Sequence, residues 1–185
     1  MEIERRFLVD AREAKPWRAA PIAYRMEQHY GVGDHLQLID GVFACSGVVV
    51  ASMSAEEAVV YAQTTDWVTR LRARNDEWFL TFKSRVSSIA ARELEWSLEV
   101  EAAQALLGHG PFPSVEKTRY VWAGDDETIW EIDEFEGGLA GLVLAEVELE
   151  RADQDVALPD WLGQEITGLS SWSNRALAET LASTR

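Results

Sequence analysis

Cysteine is all but missing from these 185 residues: Cys45 stands alone, so no disulfide can form within the chain and nothing supports secretion. Histidine is scarce too. His29, His35 and His109 have no spacing that would supply Cys45 with a base, so Cys45 reads as a small apolar filler rather than a nucleophile. Basic side chains number 17 against 32 acidic ones, a formal net charge of −15. A broad nucleic-acid surface or an anionic membrane needs a positive field, so neither is expected as a partner. A small anion is not excluded, because a local basic site, or carboxylates loaded with Mg²⁺ or Mn²⁺, can hold phosphate inside an acidic protein. No apolar run approaches a membrane span. The opening MEIERRFLVD carries charges where a signal peptide is apolar, and a cytoplasmic location is expected.

What remains is an ordinary globular composition, 47% hydrophobic and 26% charged, of a size for one domain over residues 1–185. The eight tryptophans read as core and as wedges under loops. The dominant rhythm has period two, which predicts strands. They are expected at 2–9, 24–32, 35–39, 68–74, 77–84, 92–100, 115–122, 128–135 and 142–150. Asn75-Asp76 and Gly124-Asp125-Asp126 make the hairpin turns. A short helix is predicted at 101–107, and a tail helix at 171–181 capped by Ser171 or Ser173. Residues 42–66 break the rhythm. An apolar, Gly-punctuated stretch leads into a capping box, Ser54 with Glu57, and we read the segment as a partly helical insertion. Short, hairpin-linked strands of this number predict an antiparallel barrel or sandwich.

The residues that alternate are unusual. Positions i and i+2 share a strand face, roughly 6–7 Å apart. At that spacing stand Glu2, Glu4 and Arg6; Arg70, Arg72 and Arg74; Thr81 and Lys83; Glu93 and Glu95; Lys117 and Arg119; Glu131 and Asp133; Glu146, Glu148 and Glu150. The opposite faces carry Leu71, Leu80, Phe82, Leu94, Ile132 and Val147. Such faces can be solvated exteriors over an apolar core. Like charges grouped by strand repel, however, and a plain surface mixes signs more often. The second reading is a barrel with a charged lumen, its apolar outer faces covered by helices and loops. Convergent carboxylates would there hold a hard cation, and facing Arg and Lys would neutralise a polyphosphate. The pattern alone leaves both readings open.

In order along the chain, EIERRFLV, RLRARNDEWFLTFK, RELEWSLEV, VEKTRYVW, WEIDEFEGGLAGLVLAEVELE and ITGLSSWSNRALA resemble the CYTH proteins, the triphosphate tunnel metalloenzymes. The first block supplies Glu2, Glu4 and Arg6 for the family's ExExK. The resemblance implies an α+β, mostly β fold: an eight-stranded antiparallel tunnel open at its ends, with a C-terminal helix and peripheral helices. It also implies cleavage of the terminal phosphoanhydride of inorganic, thiamine or nucleoside triphosphates with Mg²⁺ or Mn²⁺. By position Glu2, Glu4, Asp133, Glu146 and Glu148 are the expected metal side. Arg70, Arg72, Lys83, Lys117 and Arg119 are the expected phosphate cradle, and Arg6 and Lys83 the catalytic cations. Glu93 and Glu95 match acidic tunnel positions without an assigned role. Arg175 reads as a surface residue that could also reach the mouth.

Two features depart from the family. Arg6 replaces the signature lysine, and with a pKa above about 12 it cannot be a general base. The insertion at 42–66 has no counterpart in compact members, and its Val48–Val50 run favours packing. A metal-dependent triphosphatase acting on a small-molecule triphosphate is the leading expectation. An adenylate cyclase acting on ATP and a non-catalytic polyphosphate-binding module are the alternatives, and a homodimer is left open.

Overall fold

Alternation sorts the strand side chains into two sets, and in the computed structural model, which describes residues 2–184, the charged set faces inward. The strands are β1 (Glu2–Val9), β2 (Ile22–Tyr30), β3 (Gln37–Ile39), β4 (Val42–Cys45), β5 (Val48–Ser52) and β6 (Val68–Arg74). There follow β7 (Glu77–Arg85), β8 (Ala90–Leu98), β9 (Ser114–Ala123), β10 (Ile129–Phe135), β11 (Val143–Glu148) and β12 (Leu162–Glu165). Three helices accompany them: α1 (Ala55–Ala62), α2 (Val100–Leu107) and α3 (Asn174–Ser183).

Eight strands close a barrel in the order β11-β10-β9-β2-β6-β7-β8-β1, with β1 returning to β11. Every pairing around the ring is antiparallel. Register carries the inward face from strand to strand: Glu4 lies opposite Glu148, Arg6 opposite Glu146, Glu131 opposite Glu146, and Asp133 opposite Arg119. On the far wall Arg70 lies opposite Thr81, and Thr81 opposite Glu95.

One seam is loose. β1 pairs with β8 only at Glu2–Ala91 and Ile3–Ala90, then turns away and takes β12 along the vacated edge. The Ile166 amide continues that contact by donating to the Arg6 carbonyl at 2.8 Å. Gly163 is required where the two strands cross, since a Cβ there would stand 2.7 Å from the Leu8 carbonyl oxygen.

The outward faces are apolar and covered. Over β6, β7 and β8, Leu71, Leu80, Phe82 and Leu94 are buried beneath Phe43 and Cys45 of β4 and Ala102, Ala103 and Leu106 of α2. Phe43 stacks on Phe82 with ring centroids 4.9 Å apart. The segment 42–66 is partly helical as read, α1 following the predicted Ser54–Glu57 capping box, and it also holds β4 and β5, which with β3 before them form a separate meander. Residues 35–39, read as one strand, divide into a 3₁₀ turn (Val32–His35) and β3. Because the meander buries part of the barrel's outer wall, Phe43→Leu is expected to cost about 1–2 kcal/mol. That would lower the urea midpoint at unchanged slope; an unchanged midpoint would mean the insertion packs too loosely to matter.

Around β1, β10 and β11, Phe7, Trp130, Ile132 and Val147 are covered by Trp17, with Trp161 against it at 4.8 Å. Tryptophan thus serves as cover as well as core, and the buried Trp17 donates its indole N–H to Glu134 at 2.9 Å. At one end of the lumen the inward faces themselves turn apolar. Val115, Phe135, Leu144 and Tyr30 pack with Ile166 and with Ala178 of α3. The tail helix is capped by Ser173, whose hydroxyl accepts from the Ala176 amide. The tunnel is therefore filled at this end rather than open.

Candidate active site

The inward charges of seven barrel strands converge on one cavity of about 380 Å³. Glu2, Glu4, Arg6, Arg70, Arg72, Lys83, Glu93, Arg119, Glu131, Glu146 and Glu148 all line it. At the loose seam Ser87, Ser88 and Ile89 and, after β12, Thr167, Gly168 and Leu169 complete the lining.

On the carboxylate side, Glu146 is gripped by Arg6 at 2.6 Å and by Arg119 at 2.9 Å. Burial would push its carboxyl up, but Arg6 and Arg119 hold it well below the usual range. Glu4 shifts the other way: burial, then repulsion from Glu146, raise it above the usual range. Burial also opposes ionisation of Glu2, yet pairing with Lys83 keeps it lowered. Glu148 stands exposed at the rim.

The cationic wall is organised by the two glutamates that lacked a role. Glu95 accepts from Arg72 at 2.8 and 2.9 Å, from Arg70 at 3.4 Å and from the Thr81 hydroxyl at 2.7 Å. Glu93 lies 3.6 Å from Arg70 and 3.7 Å from Lys83. The Arg and Lys heads are thus aimed into the lumen before any anion arrives, which lowers the cost of ordering them around one.

Two sequence candidates lie behind the cavity instead of on it. Lys117 and Asp133 are fully buried and paired with each other, and Asp133 also takes two bonds from Arg119, at 2.6 and 2.7 Å. Burial pushes the Lys117 ammonium down to about 8, with Asp133 opposing. Burial would raise Asp133, but Arg119 and Lys117 hold it below the ordinary carboxylate range. Arg119 is the visible end of this group: from it the chain reaches Glu131 and Glu146 in the cavity.

Arg6, expected from the resemblance to stand where the family has lysine, uses the fork that a lysine lacks. One guanidinium nitrogen takes Glu146 and, at 3.3 Å, Glu4, while another donates to the Trp172 carbonyl at 3.2 Å, just before α3. Sequence reasoning passed over Tyr30, which lines the cavity opposite Arg70 and donates its hydroxyl to Gln28 at 3.0 Å. Burial pushes that phenol up to about 12, so it stays a neutral donor. Its place on the inward parity of β2 was the available signal. Arg175 does reach the rim, half exposed and held by Glu179 at 2.7 Å.

Among the described residues, no three His, Cys, Asp or Glu side chains form a finished metal cage. The donor set nevertheless fits a hard divalent cation: it is all carboxylate oxygen, and Glu4 and Glu146 repel each other. Buried oxygens of Glu2 and Glu146 also lack a hydrogen bond among the described residues, although Lys83 and Arg6 lie within ion-pair range.

Comparison with known proteins adds independent findings. A family model described as the CYTH domain matches residues 57–177. An inorganic triphosphatase of Acetivibrio thermocellus is 34% identical over 147 residues, covering 76% of this chain and 92% of that protein. One of Nitrosomonas europaea is 37% identical over 111 residues, covering 59% and 73%. A crystal structure of an inorganic triphosphatase superposes with a TM-score of 0.57 at 28% identity, covering 96% of this chain and 94% of that one.

Proposed function

The chain belongs to the CYTH family, and from that premise we propose that it is a metal-dependent triphosphatase whose substrate is inorganic triphosphate. The carrying observation is the cavity itself, where carboxylates and a preorganised cationic wall face one space of small-molecule size. Relatives named as inorganic triphosphatases support the choice of substrate.

Arg70, Arg72, Lys83 and Arg119 grip the phosphates, with the arginines offering two-pronged contacts to their oxygens. Glu2, Glu4, Glu146 and the rim residue Glu148 are the residues that would hold Mg²⁺ or Mn²⁺. Bound there, the cation supplies charge neutralisation on the phosphate oxygens and a more acidic water. Arg6 and Lys83 stabilise charge on the leaving pyrophosphate, since both stay protonated in this setting. Neither serves as the base. Glu93 and Glu131 line the cavity, and burial raises both above the ordinary carboxylate range, so they are the candidates to take the proton of the attacking water. Lys117 and Asp133 set Arg119 from behind instead of touching substrate.

We read the protein as one domain acting in the cytoplasm, without a nucleic-acid or membrane partner. The net charge of −15 supports this, and no helix among the described residues is long and apolar enough to cross a membrane.

Steady-state phosphate release from inorganic triphosphate tests the assignment. Turnover is expected with Mg²⁺ or Mn²⁺, a fall to background on adding EDTA, and recovery on restoring the metal in excess. Turnover unaffected by the chelator would refute the metal role; no turnover under any metal would refute the triphosphatase.

A further inference from the structure

α3 divides two cavities of opposite chemistry. Beyond it from the tunnel lies a second hollow of about 430 Å³, which shares only Tyr30, Val68 and Arg175 with the first. The tunnel is walled by arginines, lysine and glutamates, whereas this hollow is walled by rings: Tyr30, His35, Trp67, His109 and Phe112. The rings are held in place by each other and by neighbours. His35 and His109 stack with centroids 4.4 Å apart, Phe112 stands edge-on to His35 at 5.7 Å, and Ser46 bonds His109 at 3.0 Å. Trp67 stacks on Tyr61 at 5.9 Å.

The charges here are also few. Two carboxylates, Asp34 and Glu179, line the hollow against one cation, Arg175, which Glu179 already engages at 2.7 Å. That leaves Asp34, exposed on the turn before β3, as the uncompensated charge of the described lining. An anion finds a cationic wall in the tunnel but a carboxylate without a cation in the hollow. Aromatic rings and a carboxylate lining one hollow attract the opposite species.

We propose that this second cavity binds a small organic cation, a substituted ammonium held by its aromatic walls and by the Asp34 carboxylate. Its size falls within the usual range for small-molecule sites. A quaternary head satisfies it without needing hydrogen-bond acceptors on the ring walls.

Titration calorimetry of the full chain with choline, and with its neutral isostere 3,3-dimethylbutan-1-ol, separates charge from shape. Choline is expected to bind, with the alcohol weaker by about tenfold or more. Asp34→Asn and Phe112→Ala should each weaken choline about fivefold or more while leaving triphosphate turnover unchanged, which reports an intact fold. No choline heat at tens of millimolar, equal affinity for the alcohol, or choline binding that survives both substitutions would each overturn the assignment. Choline binding in a protein that turns over no triphosphate would sink the proposed function and leave the cavity assignment standing.

Discussion

Glu4→Gln is expected to lower turnover of inorganic triphosphate by about 10²–10³-fold, the several kcal/mol that a metal centre supplies. It should also raise the metal concentration needed for half-maximal activity. The substitution keeps the shape of the side chain and removes its charge. Stability should move little or rise, because ionised Glu4 is disfavoured first by burial and then by Glu146. A functional carboxylate held against its neighbours is the kind of site at which stability is sacrificed for activity. Activity assays across a metal titration, paired with urea unfolding, decide the point. Full activity would remove Glu4 from the metal side. A large loss of stability would make it structural.

Asp133→Ala should show the opposite profile. It strands Lys117 and Arg119 as buried cations without their main partner, and breaking a buried pair in this way costs about 3–5 kcal/mol. Against a typical total of about 5–15 kcal/mol, that is a large share of stability. The effect has a definite pH sense. The Asp133 carboxyl is held below its unfolded value, so its contribution is complete above the ordinary carboxylate range. It is lost as pH falls from about 4 through the lower folded value. The gap between wild type and Asp133→Ala should therefore narrow in acid. If Asp133 were instead an ordinary metal ligand, the variant would bind metal poorly yet unfold at nearly the wild-type urea concentration.

That contrast also marks where the sequence stopped being legible. Period two assigned each charged residue to a face, and the register confirms that Glu4, Arg70, Arg119 and Glu146 share the lumen. It could not give depth along the lumen. Lys117 and Arg119 have the same parity and adjacent places, yet only Arg119 reaches the cavity. Depth is set by the apolar layer of Val115, Phe135 and Leu144 under α3, a tertiary arrangement with no local signature. The charged faces were also compatible with a solvated exterior. What decides between the readings is the cover over Leu71, Phe82 and Trp130, built from distant segments.

The two strands within the insertion were missed for a related reason. β3, β4 and β5 form a small meander with Phe43 and Ala51 buried, while Val49 and Ile39 remain exposed, so apolar residues occupy both faces and the period is blurred. β12 was missed because Leu162–Glu165 is short and contains a glycine, and it pairs only because β1 leaves β8. Glu93 and Glu95 were visible as a pair, but their work of aiming Arg70, Arg72 and Lys83 required β8 to be set beside β7. The chemistry of the site owed most to the ordered motif blocks and the spacing of their charges.

The central claim is that this tunnel hydrolyses its ligand and does more than grip it, with Arg6 in place of the signature lysine. Phosphorus NMR of the wild-type protein incubated with inorganic triphosphate and Mg²⁺ tests this most directly. Triphosphate is expected to disappear while pyrophosphate and orthophosphate grow in equal amounts. A triphosphate signal that broadens or shifts on the protein but never declines would contradict it.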